Sequence, residues 1–165
     1  MSLAKPQGAG KKERISLDSA ARHLLEECRM VLPGIQALFG FQLIAVFNQG
    51  FGDKLSQHAQ YMHLGALMLT ALAMALVMTP AALHRQAEPC EVSERFVWMA
   101  SNMVLAGMFP LALAVGIDAY VVASVVLDKD GVAALVAAVL LALFAVLWLL
   151  VPRRETRRQE AGGPG

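Results

Sequence analysis

Charge is what this chain has least of. Only 16% of its 165 residues are Asp, Glu, Lys or Arg, against roughly 25% in an ordinary soluble domain. So little charge excludes a water-soluble globule. Cysteine is nearly absent too. Cys28 and Cys90 stand far apart with no CxxC spacing, which excludes a disulfide framework and gives no support to a thiol zinc site or a thiol redox role. There is no GxxxxGK(S/T), GxSxG or HExxH motif and no glycine-rich dinucleotide loop, so a non-enzyme is expected. Internal repeats, from which many transporters build a midplane binding site, are missing as well.

What the chain has in excess is apolar length. Four runs, residues 33–51, 60–83, 96–127 and 132–151, are each about long enough to cross a hydrocarbon core of roughly 30 Å, which takes about 20 helical residues. Lys and Arg distribute unevenly around them. Lys5, Lys11, Lys12, Arg14, Arg22 and Arg29 precede the first run, Arg85 and Arg95 flank the second connection, and Arg153, Arg154, Arg157 and Arg158 follow the last. Only Lys54 and Lys129 lie on the other side. The positive-inside rule then places both termini and the central connection in the cytoplasm of a cell whose inner membrane holds the chain. An even number of spans demands the same. Trp98 and Trp148 fall at that cytoplasmic interface, and both cysteines are expected there as free thiols.

The expected architecture is all-α: a four-transmembrane-helix bundle preceded by an interfacial amphipathic helix. Residues 1–15 and 153–165 are expected as disordered cytoplasmic tails, and residues 16–152 as the membrane domain. No cleavable signal is expected, because the first apolar run lies behind a polar leader. Within residues 16–30, Leu17, Ala20, Ala21, Leu24, Leu25 and Cys28 form one apolar stripe, and Asp18, Arg22, Glu26 and Arg29 form a ladder of alternating charge opposite it. Ser16 or Asp18 is the expected cap. This helix is expected to lie in the headgroup plane, or else to turn Glu26 and Arg29 inward to line a vestibule. A bend is expected near Pro33. Beyond it, Pro33, Gln36, Gly40, Leu43 and Phe47 share a stripe expected to face inward, while Gln42 lies off that stripe.

The stretch LLEECRMVLPGIQALFGFQLIAVFNQGF from Leu24 to Phe51, with TPAALHR from Thr79 to Arg85, resembles an uncharacterised family of small bacterial four-helix integral membrane proteins. Glu26, Arg29, Pro33, Gly34, Gln36, Phe39, Phe41, Phe47, Phe51, Pro80, His84 and Arg85 carry the resemblance. It implies the same four-span layout. No activity is established for that family, although some members bear the label sodium/proton antiporter.

Asp118 is the one carboxylate inside an apolar run. Insertion scales charge about 2.5–3.5 kcal/mol for such a group at the bilayer centre. A helix entering at Phe96 carries Asp118 roughly 33 Å, to the outer interface beside Tyr120, whereas a span from Leu105 to Leu127 puts it near midplane. The first register is expected, since the second leaves Phe96, Val97, Trp98 and Met99 outside the core. Of the histidines, His58 and His63 share a helix face poorly, and His23 and His84 pair only at the surface, so no haem or other cofactor is expected. In the last run Ala134, Ala138 and Ala142 make a small-residue ridge suited to close helix packing, either within the chain or in a dimer.

The candidate polar cluster, structural or for transport, is Glu26, Arg29, Gln36, His84, Arg85 and Asp118. The expected partner is the lipid bilayer, with a homo-oligomer possible and nucleic acid excluded. The expected function is that of a non-enzymatic accessory or scaffold protein of the inner membrane. The alternative is a small ion or proton transporter working through Asp118 with Glu26 and Arg29.

Overall fold

The computed structural model describes residues 16–87, 92–127 and 129–154. Within them the chain is helical: α1 (Leu17–Val46), α2 (Gly50–Lys54), α3 (Gln57–Ala87), α4 (Glu94–Leu127) and α5 (Asp130–Ala145), the last continuing through a π-helical turn, Val146–Leu150. Four of these helices are long and apolar enough to cross a membrane. Both expected tails, apart from residues 153 and 154, and Cys90 lie outside the described residues.

Short polar side chains set the helix starts. Ser16 Oγ accepts from the Ser19 amide at 3.3 Å, Ser56 Oγ from the Ala59 amide at 3.2 Å and Ser93 Oγ from the Phe96 amide at 3.1 Å. Each satisfies an N–H that no helical carbonyl can reach. Of the expected ladder on α1, Asp18 and Arg22 meet at 3.1 Å, both well exposed, an arrangement worth only a few tenths of a kcal/mol.

The bundle is assembled on α3 and α4, which share the most extensive contact, with α5 against α4 and α1 laid more on α3 than on α4. Small residues let the central pair approach: Ala66, Thr70, Ala73, Ala100 and Ala114 are fully buried. Thr70 Oγ1 donates to its own helix at the Ala66 carbonyl, 3.0 Å away, so its hydroxyl is satisfied without a partner helix.

One expectation is corrected. The amphipathic segment and the first span are one uninterrupted helix with Pro33 inside it. Ala21, Leu24, Cys28, Ile35 and Gln42 form a single buried stripe along its length. The first of these pack in one cluster with Val77, Phe96 and Ala100, so protein and not lipid covers the stripe. Pro33, Gln36, Leu43 and Phe47, expected to face inward, are exposed, and Phe47 is 84% so. The reason is register: Cys28, Ile35 and Gln42 recur at seven-residue intervals, which keeps one face toward the partner only if the helix does not break. A proline on an exposed face removes one N–H, which membrane helices tolerate.

The alanine ridge of α5 lies on the outer side of the helix, so it makes no packing contact within the bundle. Ala133 and Ala137 are the helix's buried alanines, while Ala134, Ala138 and Ala142 point away from the bundle. Ala133→Leu is therefore expected to cost about 1–3 kcal/mol by overpacking against α4, and Ala134→Leu less than about 0.5 kcal/mol. Unfolding of both variants in mixed detergent micelles measures the difference.

Candidate functional site

Three helices each contribute one polar side chain to a single point. Gln42 from α1 continues the buried stripe and is 3% exposed; its Nε2 donates to Asp118 Oδ2 at 2.6 Å. His63 from α3 is 7% exposed; its Nδ1 lies 3.1 Å from Asp118 Oδ1, and its Nε2 lies 2.9 Å from the Gln42 main-chain carbonyl. Phe51 of α2 presents its ring to the imidazole edge-on, centroids 5.4 Å apart. Asp118, from α4, thus receives both the amide and the imidazole, and the side chains of His63 and Asp118 are 9% and 19% accessible.

The hydrogen-bond roles follow from what each atom can do. A main-chain carbonyl only accepts, so His63 Nε2 must carry a proton. A hydrogen bond between His63 Nδ1 and Asp118 Oδ1 then needs one further proton, carried by either atom. Gln42 Oε1 is buried with no donor opposite it.

Depth follows from helix length. With α3 and α4 each centred on the membrane, His63 lies about 13 Å and Asp118 about 11 Å from the midplane at 1.5 Å per residue. Both distances are inside the roughly 15 Å half-thickness of the hydrocarbon, near the end of the bundle that carries the α1–α3 and α4–α5 connections. On that centring Asp118 falls between the two expected positions, close to the edge of the hydrocarbon.

A cavity of about 490 Å³ opens on this cluster. Gln42, His63 and Asp118 line it together with Asn48 and Lys54, and Leu38, Phe41, Phe51, Val122, Val125 and Val126 form the apolar wall. Phe41, Val122 and Val126 are 70%, 62% and 74% exposed, so the cavity reaches the bundle's apolar outer surface between α1 and α4.

The other members of the expected cluster are elsewhere. Glu26, Arg29, Gln36 and Arg85 are exposed. Glu26 lies 3.9 Å from His23, both side chains about two-thirds exposed, and does not line a vestibule. His84 is half-buried against Phe96, ring centroids 5.5 Å apart, and its buried Nδ1 has no hydrogen-bond partner. Glu26 and Arg29 precede Gln42 by sixteen and thirteen residues on the same helix, or about 24 and 20 Å, so neither reaches Asp118. Sequence reasoning missed Gln42 and His63. The signal for Gln42 was its seven-residue spacing from Cys28 and Ile35. For His63 the signal was a depth matching that of Asp118. No group of three or more His, Cys, Asp or Glu side chains able to hold a metal occurs among the described residues.

No curated protein and no solved structure matches this chain. A family model does, over residues 11–152, and the chain belongs to that family of unknown function, DUF6328.

Proposed function

We propose that the protein is a small proton-coupled cation transporter whose exchangeable proton is held between His63 and Asp118. The observation that carries this reading is the Asp118 carboxylate inside the bundle, bonded to an imidazole and an amide and open to a cavity. Ionisable groups within membrane spans are rare and by default mark ion or proton paths. With both termini cytoplasmic, the site faces the opposite side of the inner membrane, and the protein works in the lipid with no enzyme chemistry. Glu26 and Arg29, far along α1, take no part.

The accessory or scaffold reading also has an observation in its favour. On the far side of the cluster, Ala66, Thr70 and Ala73 are fully buried, which closes this conformation toward the termini. On that reading the cluster only ties α1 to α3 and α4.

Proteoliposomes with an acidic lumen and an internal pH-sensitive dye separate the two. Outside addition of sodium, potassium or guanidinium salts, the last chosen because it stays charged, is expected to alkalinise the lumen. Asp118→Asn is expected to slow this at least about tenfold, the loss of roughly 1.4 kcal/mol or more of transition-state stabilisation. Equal rates for the variant and the parent, or a parent no faster than empty liposomes, would overturn transport.

A further inference from the structure

Resting on the transport reading, we infer that the cavity between α1 and α4 takes a lipophilic primary amine in its ammonium form, exchanged for the proton of the His63–Asp118 pair. Three features of the site select that chemistry. The first is the acceptor set. Once the shared proton leaves, Asp118 Oδ1, His63 Nδ1 and the unpartnered Gln42 Oε1 are acceptors without donors. A primary ammonium has three N–H donors and no acceptor, so it meets all three needs at once.

The second is what the site lacks. Calcium takes six or more oxygen ligands, whereas the side-chain oxygens on the cavity are those of Asp118, Gln42 and Asn48; Gln42 Nε2 already engages one Asp118 oxygen and the Gly50 amide donates to Asn48 Oδ1, so a singly charged ion suits the site and a divalent one does not. The third is the wall. Leu38, Phe41, Phe51, Val122 and Val125 make most of the lining apolar in an open cavity of about 490 Å³, within the 300–1,000 Å³ range of small-molecule sites. Its exposed apolar margin lets a molecule already dissolved in the bilayer enter sideways. The titratable groups on the cavity are Asp118, His63 and Lys54, and Lys54 is exposed on α2, so it repels a second cation at the rim without occupying the polar end.

The exchange balances. The ammonium enters with its charge, the proton leaves His63 for water, and Nε2 keeps its own proton on the Gln42 carbonyl. Binding therefore releases a proton, and the apparent affinity for the ammonium rises with pH, by up to about tenfold per unit while the pair remains protonated in the empty site.

The test is equilibrium dialysis of 1-naphthylmethylamine against the full chain in nanodiscs, with empty discs subtracted and naphthalene fluorescence as readout. Saturable binding of one amine per chain is expected, tightening as the pH is raised. The uncharged analogue 1-naphthylmethanol is expected to show only partition into lipid. Asp118→Asn, and Ala45→Trp, which sets a bulky ring into the cavity wall one turn beyond Gln42, are each expected to weaken amine binding at least about tenfold. Equal binding of alcohol and amine by the parent overturns the inference, as does amine binding by Ala45→Trp within about twofold of the parent. Sodium-driven flux without amine binding leaves transport standing and removes the amine, while amine binding without any flux does the reverse.

Discussion

His63→Phe and Asp118→Leu are each expected to destabilise the bundle by about 2 kcal/mol, and the double variant by clearly less than the two combined. Each single change orphans a buried partner. Without the imidazole, Asp118 keeps only the Gln42 amide. Without the carboxylate, both His63 Nδ1 and Gln42 Nε2 lose their partner. An orphaned buried polar group costs about 1–3 kcal/mol, and breaking a buried pair more than removing it whole. Polar contacts between membrane helices average nearer 0.6 kcal/mol, because the dissociated helices find other partners, so a coupling of about 1 kcal/mol is expected. Mixed-micelle unfolding of the four proteins measures it. Flux separates what stability alone cannot. If the pair only fastens α1 to its neighbours, the double variant regains whatever the single variants lost. If the pair carries the exchanged proton, ion-driven alkalinisation stays at least about tenfold below the parent in all three, however stable the double variant becomes.

The same residues show how far the sequence could be read. Four crossing helices were legible because apolar length is a one-dimensional property, and nothing folded later can hide it. Asp118 was legible as the exception within such a run. The rest of the site was not, and α1 shows why. Treating Pro33 as a break set a new register for the span and placed Gln36 inward, whereas the unbroken helix carries Gln42 there instead. One helical position is 100°, so a wrong origin displaces every residue beyond it. His63 was concealed differently. Its partner lies 55 residues on, in another helix, and no local spacing connects them. Only matching depths do, and depth depends on where each helix begins. In α5 the small-residue ridge was visible twice, at Ala133 and Ala137 and again at Ala134, Ala138 and Ala142. Periodicity could not choose between adjacent faces until α4 was in place.

Gly107→Leu is expected to be the most damaging single change outside the polar cluster, at about 2–3 kcal/mol. A Cβ built at Gly107 meets Val77 Cγ2 at 3.1 Å, the Ala73 carbonyl oxygen at 3.3 Å and Leu76 Cβ at 3.4 Å. The Ala73 oxygen belongs to the α3 backbone and cannot swing aside as a side chain would, so a larger residue must push the two helices apart. Gly116 makes the instructive comparison. There the nearest atom is closer, Leu141 Cδ2 at 2.8 Å, but it is the tip of a flexible side chain, and Gly116→Ala is expected to cost less than about 1 kcal/mol after Leu141 changes rotamer. At Gly65 nothing lies within 4 Å, so Gly65→Leu is the control for the change in residue type itself. Thermal unfolding in detergent ranks the three. Separation at Gly107 also bears on function, because Asp118 lies eleven residues further along the same helix, about 16 Å, and relies on α4 staying against α3 to meet His63. Gly107→Leu is therefore expected to lose flux along with stability, whereas Ala133→Leu, which loosens α5 but leaves the α1, α3 and α4 contacts in place, is expected to lose stability alone.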